Sequence, residues 1–512
     1  MKKIKKLLLG RTMIVAMAIL IQMLWILSAL NGVVEKYAFL NTIINLIAFV
    51  VVLTIVNKRS NPSYKIVWTF VILCIPILGL SIYFIFGRSE LIRRTRKRME
   101  AINSELEKGL PDGTQYMEEL RKKDKSVYNQ VKYINDWTFF PVYRNTSTKY
   151  YPSGEEVFPD ILKALESAEH FIFMEYFIVE EGVMFGQILE ILKKKAAQGV
   201  DIRCIYDDFG CVTTLPAKYY EQMRKWGIQC VKFNPLYPVM SVIMNNRDHR
   251  KILVVDGKIG FTGGINLADE YINEVERFGY WKDTGLRLEG EAVWSFTIMF
   301  LEMWSYITKT EIEDYEKFRP EVYQTKAFTD DGYVQPYDDS PLDHETAGEN
   351  IYMNIINKAK DFVYIYTPYL IPDHEMIKSL QNAAKSGVDV RIMMPGIPDK
   401  KLVYWMGQSY YEELLECGVK IYQYKPGFLH AKCFVCDDEI ATVGSINVDY
   451  RSLYLHFECG VWMYQSSAVY QVKEDFMCTL NECEEITMEF CRKRPAVIRI
   501  LLSVMKIFAP LL

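Results

Sequence analysis

An internal repeat constrains this chain more than anything else in it. "HFIFMEYFIV" reads as a buried strand, "MFGQILEILKKKAAQG" as an amphipathic helix and "VDIRCIYDD" as the next strand. "GIQCVKF" adds another. The order then returns in "DFVYIYTPYLI", "HEMIKSLQNAAKSG", "VDVRIMMP", a helix through "YYEELLECG", and "VKIYQYKPG". The phrases "KKAAQGVDIRCIYDD" and "QNAAKSGVDVRIMMP" align almost residue for residue. A period of about 180 residues is far too long for a solenoid and indicates a duplicated domain. The predicted fold class is therefore α/β, built as two copies of one α/β half-molecule. The polar stretch from Thr329 to Asn350 marks their boundary.

Each half ends in the same pattern. "DHRKILVVDGKIGFTGGIN", Asp248 to Asn266, and "LHAKCFVCDDEIATVGSIN", Leu429 to Asn447, both read H-x-K-x4-D-x6-G-[GS]-x-N. Turn capping would explain the Gly and the Asp, but not a His and a Lys two apart on one strand face. An imidazole, an ammonium and an Asn amide in one place suit a phosphate: donors for the non-bridging oxygens and one group for bond making. Two such motifs supply two histidines, one to attack phosphorus and one to protonate the leaving oxygen. The catalytic candidates are His249, Lys251, Asp256, His430, Lys432 and Asp437, with Asn266 and Asn447 on the phosphate. Asp256 and Asp437 lie five residues beyond their lysines, on the other strand face, and are expected to fix the turn. Lysines here take the place of a divalent metal, and no carboxylate set has metal-site spacing, so neither metal nor cofactor is expected.

The front of the chain is different. Thr12 to Leu30, Tyr37 to Val56 and Ile66 to Phe86 are each about twenty residues without a charge, the length of a bilayer crossing. A secretory signal peptide is the rival reading of the first run, which is long for that role and lacks a small-residue cleavage site. Residues 1–98 hold fifteen Lys/Arg against two Glu in a chain of net charge −4, so the remainder is acidic. The basic clusters flank apolar runs, which favours anionic lipid over nucleic acid as partner and marks cytoplasmic ends. Two cytoplasmic clusters require an even number of crossings, yet there are three apolar runs; the third contains Pro76 and Gly79 and can bend back. Eleven irregularly spaced cysteines suggest a reducing compartment, with Cys433 and Cys436 as packed thiols. The expected organisation is a membrane anchor (1–98), a polar helical linker or stalk (99–135), two halves (136–330 and 331–490) and a membrane-surface helix (491–512). The aromatics Tyr364, Tyr366, Tyr369, Tyr404 and Trp405 are candidates for a dry entrance to the site.

With its two H-x-K-x4-D motifs the sequence resembles the phospholipase D superfamily, and within it the bacterial cardiolipin synthases. The narrower likeness runs from about Asn61 to the C-terminus and rests on "NPSYKIVWTFVILCIPILGLSIYFIFG", "MEYFIVEEG", "GVDIRCIYDDFG", "FGYWKDTGLRLEG", "YTPYLIPD", "GFLHAK" and "GSINVDYRSLYLHFECG". It implies two pseudo-symmetric α/β/α halves with the active site between them, preceded by N-terminal transmembrane helices, in a membrane-bound transferase that moves a phosphatidyl group from one phosphatidylglycerol to another, giving cardiolipin and glycerol, with no nucleic-acid partner. The alternatives within the superfamily are a phospholipase D hydrolase and a phosphatidylserine synthase. The resemblance makes His249 the nucleophile and His430 the acid/base. It places Lys251, Lys432, Asn266, Asn447 and Ser445 on phosphate, and Asp283 and Glu458 behind the histidines. Three positions depart from the family pattern: Gly264 where the second copy has Ser445, His456 where Asn is common, and Cys211 where Ser is frequent. The run 12–30 also lies outside the usual two-span arrangement.

Overall fold

The computed structural model describes residues 17–24, 38–58, 61–86, 90–235, 246–310, 314–319, 322, 326–328, 332–343 and 345–511. Most of the first apolar run, and the basic residues Lys2 to Arg11, Arg88 and Arg93, lie outside the described residues or their described side chains. The chain divides into one unit of Arg96–Pro235 and Arg247–Arg499 and another of Met1–Thr95, Leu236–Asn246 and Ile500–Leu512.

The larger unit holds both halves of the repeat. The first supplies β1 (Thr146–Tyr151), β2 (Phe171–Tyr176), β3 (Asp201–Asp207), β4 (Gln229–Phe233), β5 (Arg247–Asp248), β6 (Lys251–Val255), β7 (Ile259–Gly263), β8 (Tyr280–Lys282) and β9 (Gly285–Gly290). The second supplies β10 (Tyr333–Asp339), β11 (Phe362–Tyr366), β12 (Leu370–Ile371), β13 (Asp389–Pro395), β14 (Lys420–Tyr424), β15 (Gly427–Leu429), β16 (Cys433–Cys436), β17 (Ile440–Gly444), β18 (Val448–Asp449), β19 (His456–Tyr464) and β20 (Cys483–Ile486). One sheet runs β1-β9-β7-β6-β2-β3-β4 and the other β10-β19-β17-β16-β11-β13-β14-β20, the same order with β20 added at its end and β5 joined to β19. The parallel pairs β2–β3 and β11–β13 are bridged by the amphipathic helices Val183–Ala197 and His374–Lys385, as right-handed crossovers demand. β2 and β6 are buried along their whole length, which is why they read as unbroken apolar runs rather than alternating ones.

The two motif hairpins, β6–β7 and β16–β17, turn on Asp256-Gly257 (φ 52° and 62°) and Asp437-Asp438 (φ 52° and 57°). Two consecutive left-handed residues make the tight turn whose twist matches the strands it joins.

One expectation is corrected here. Residues 99–135 are largely helical, in Glu90–Leu106, Thr114–Lys123 and Lys125–Thr138, but they are no stalk. Val127, Val131 and Ile134 are buried, Gln335 donates to the Val131 carbonyl, and Trp462 donates to Gln130. The polar boundary segment contains the first strand of the second half. Its Tyr333–Asp339 is β10, paired along its length with β19.

In the smaller unit, Ala38–Val56 is a single helix, and its stretch Phe39–Val56 is long and apolar enough to cross a bilayer, with a mean hydropathy of 2.5. It is the one such helix among the described residues. The third apolar run is broken: Pro62–Cys74 and Pro76–Phe86 are separate helices. Gly79 sits where a Cβ would meet the Val71 carbonyl oxygen at 2.6 Å, so the second helix folds back closely against the first. At the other end of the chain, helix Ala496–Phe508 exposes Val497 (75 %), Ile500 (66 %) and Leu501 (47 %).

Candidate active site

Each motif histidine lies not within its strand but just before it. His249 sits between β5 and β6, and His430 between β15 and β16. The lysines fare differently, Lys251 opening β6 and Lys432 immediately preceding β16. The short strand before each histidine leaves its own half and pairs with the other: β5 lies parallel to β19, and β15 parallel to β8. The His249 N–H donates to the Phe457 carbonyl at 2.9 Å and the His430 N–H to the Lys282 carbonyl at 2.7 Å. One residue beyond each of those carbonyls stands a carboxylate, and the histidine turns toward it. His249 Nδ1 is 2.9 Å from Glu458 Oε1, and His430 Nδ1 is 2.7 Å from Asp283 Oδ2. Each imidazole is thus oriented by the opposite half. With Nδ1–H given to the carboxylate, the lone pair of Nε2 is left for chemistry.

All these groups are buried. Burial, then the neighbouring lysines Lys251 and Lys432, holds His249 well below its ordinary value. Burial and Lys432 bring His430 down to about 4. Lys432 acts on His249 and Lys251 on His430, so the two motifs share one electrostatic site. Burial also lowers the ammonium groups, Lys251 to about 8 and Lys432 to about 7. Burial pushes the Asp283 carboxyl up, but His430 and Lys432 together outweigh it and leave it below its ordinary value. Each lysine spends one donor on the carbonyl of its own histidine, leaving the other N–H groups for an anion.

Other sequence candidates fall elsewhere. Asp256 accepts from the backbone N–H groups of Glu169, His170 and Phe171, and Asp437 from those of Lys360, Asp361 and Phe362. These carboxylates pin each hairpin to the start of β2 or β11, which takes both out of the catalytic set in which the motif groups them. The Ser445 hydroxyl is corrected as well. It donates to Glu458 Oε2 at 2.5 Å and accepts from the Cys459 N–H, so it holds the carboxylate behind His249 rather than a phosphate. Its counterpart Gly264 has no room for a side chain: a Cβ there would lie 2.1 Å from Asp283 Oδ1.

Asn266 accepts from the Ile178 N–H and donates to the Tyr271 hydroxyl. Asn447 donates to Ser452, and its Oδ1 has no partner. Among the proposed entrance aromatics, Tyr364 and Tyr366 are buried in β11, while Trp405 is 47 % exposed. Cys211, in place of a serine, still accepts from the Val179 N–H. Cys433 and Cys436 are packed thiols in β16, and all eleven cysteines are free.

One residue, Arg250, carries no sequence signal, and His456, the departure from the family's Asn, takes an unforeseen place. Arg250, fully buried, faces away from the histidine and binds Glu302, Asp338 and the Glu458 carbonyl, fastening the motif to the other half from behind. His456 lies beside His249, ring centroids 5.5 Å apart. It precedes Glu458 by two residues on β19, the same-face spacing that singled out His and Lys in the motifs.

The chain is similar to known proteins. The family described as "Cardiolipin synthase, PLD-like domain" matches residues 161–277 and again 352–479, and that described as "Phospholipase_D-nuclease N-terminal" matches 43–88. The chain is 35% identical to a cardiolipin synthase of Alkalihalophilus pseudofirmus, over 89% of this chain and 90% of that one. It is 34% identical to one from Halalkalibacterium halodurans, over 89% and 90%. Among solved structures, the phosphatidylserine synthase of Haemophilus influenzae shares the fold, with a TM-score of 0.56 at 14% identity, covering 75% of this chain and 100% of that one. A full-length likeness of this strength, joined to a duplicated motif that folds into one two-histidine centre, means that the chain belongs to the cardiolipin synthase family of the phospholipase D type.

Proposed function

We propose that the protein makes cardiolipin by moving a phosphatidyl group from one phosphatidylglycerol to another through a phosphohistidine on His249. The observation that carries this is the pair of buried imidazoles, each with Nδ1 on a carboxylate. His249 Nε2 attacks phosphorus, the bond to the headgroup glycerol oxygen breaks, and His430 gives that oxygen its proton. A hydroxyl of the second phosphatidylglycerol then passes its proton to His430 and attacks phosphorus, and the P–N bond breaks to restore His249. Lys251 and Lys432 hold the non-bridging oxygens, with the Asn266 and Asn447 amides beside them. With its group at about 4, His430 is neutral in the empty site. A bound phosphodiester anion raises it, since an opposite charge favours the protonated form.

Helix Ala38–Val56 crosses the membrane in this reading, and the broken pair Pro62–Cys74 and Pro76–Phe86 enters and returns. The exposed apolar side of Ala496–Phe508 lies on lipid, where anionic headgroups meet its Arg499 and Lys506. The active site faces the cytoplasm, in keeping with eleven free thiols. Purified protein given phosphatidylglycerol vesicles should release cardiolipin and glycerol in equal amounts, and either His249→Ala or His430→Ala should abolish both. Phosphatidic acid as the main product would make the protein a hydrolase. A reporter fused after Leu512 should be active only in the cytoplasm; activity outside would reverse the orientation.

A further inference from the structure

His456 opens β19 at 8 % exposure, and neither of its ring nitrogens has a hydrogen-bond partner. A buried polar group left in that state is destabilising, so a ligand is the natural explanation for keeping it. Its Nδ1 lies 3.7 Å from Glu458 Oε1, and that same oxygen is 2.9 Å from His249 Nδ1. His249, His456 and Glu458 each offer a ligand atom, and the three atoms lie within 4.8 Å of one another. A tetrahedral ion with bonds of about 2.0–2.1 Å sets its ligands roughly 3.3 Å apart, so small side-chain shifts complete the set. Two imidazoles and one carboxylate oxygen, with a fourth position open, match the preference of zinc rather than of a hard cation such as magnesium.

We propose that His249, His456 and Glu458 form an inhibitory site for Zn²⁺ or a similar transition-metal ion. In the working tautomer, His249 carries its proton on Nδ1 and its lone pair on Nε2. An ion bonded to Nδ1 takes the lone pair there, and the ring's single proton moves to Nε2. No net proton leaves the ring, but Nε2 can no longer attack phosphorus. The binding claim stands on geometry alone; the inhibition claim rests on the role given to His249 above.

The test uses the full chain in detergent, without a histidine tag and stripped with chelator. Co²⁺ titration should give visible absorption of a tetrahedral site at one equivalent, displaced by Zn²⁺. In His456→Asn, and in His456→Gln as a second variant, the Co²⁺ affinity should fall at least tenfold. Zn²⁺ should inhibit cardiolipin formation by the wild type at concentrations at least tenfold lower than it needs for the variants, whose metal-free activity should stay within a few-fold of wild type. Equal Co²⁺ binding in wild type and variants would assign the signal to the free thiols and overturn the site, as would no binding in the wild type. Normal Co²⁺ binding with no loss of lipid product would keep the site and overturn the switch, independently of which lipid the enzyme makes.

Discussion

Replacing Glu458 by Gln removes the charge behind His249 while keeping the side chain's shape. In the proposed reaction Nε2 attacks phosphorus and the imidazole becomes an imidazolium, its positive charge about 4 Å from the carboxylate. At an effective dielectric constant of about 20 that interaction is worth roughly 4 kcal/mol. At 1.4 kcal/mol per decade, its loss should slow formation of the phosphoenzyme by about 10³-fold. The Ser445 proton now donates to the carboxylate at 2.5 Å. If the Gln amide oxygen takes the place facing His249, Ser445 must turn its proton to the Cys459 carbonyl at 3.2 Å, a longer and neutral bond. If the amide nitrogen faces His249 instead, it forces the proton onto Nε2 and removes the nucleophilic lone pair.

Both outcomes point the same way, and Ser445→Ala alone, which leaves the charge, should cost only about tenfold. The assay is single-turnover transfer of labelled phosphatidyl groups to the protein, with melting temperatures measured alongside. A Glu458→Gln enzyme within tenfold of wild type would refute the reasoning. So would a loss of activity matched by a comparable loss of thermal stability, since the carboxylate would then be holding the halves together rather than the imidazolium.

Three further outcomes are expected. Gly264→Ala should drive Asp283 off His430, given the 2.1 Å approach of a Cβ to its carboxylate oxygen, and lower cardiolipin formation by about 100-fold with the circular dichroism spectrum unchanged. Asp256→Asn should instead lower stability by about 2 kcal/mol, through three weakened backbone hydrogen bonds, and leave the rate per folded molecule within a few-fold, read by denaturant unfolding and by initial rates. kcat/KM should fall as pH rises through about 7 to 8, because Lys432 and Lys251 are held down to about 7 and about 8 and lose the charge that binds phosphate as the solution becomes more basic. A profile flat to pH 10 would show that their ammonium groups are not the ones on the substrate.

The sheets were legible because their strands carry strong local signals. β2, β3, β11 and β13 are largely apolar stretches next to amphipathic helices, and the repeat presents each signal twice. The exchange of carboxylates between halves was not legible. It depends on β5 and β15, strands of two and three residues that show no periodicity, pairing with partners about 200 and 150 positions away in the chain. Asp283 and Glu458 could therefore be named only through family resemblance, and nothing in the sequence says which histidine each one serves. Ser445 was misplaced for a related reason: adjacency to the phosphate motif in sequence says little about direction after a turn, and its hydroxyl faces the carboxylate on β19. The two-residue spacing of His456 and Glu458 is itself legible, as the same-face pattern that His and Lys show within the motifs.

The exchange also explains why the duplicated halves act as one enzyme. The backbone contact that joins β5 to β19 is the contact that sets His249 against Glu458, and the contact joining β15 to β8 sets His430 against Asp283. Neither half alone contains a histidine with its carboxylate, so an isolated half would hold only unoriented imidazoles. A slip of about 1 Å between halves would lengthen both histidine–carboxylate bonds beyond hydrogen-bonding range together. That coupling suits the two-step transfer proposed above, in which the same pair would first expel one alcohol and then activate another without letting water in. Water stands near 55 M in bulk, yet oriented neighbours reach effective concentrations of about 10⁵ M or more, provided the geometry holds through both steps. A site whose two halves are locked by its own catalytic contacts keeps that geometry while the glycerol leaves and the second lipid arrives.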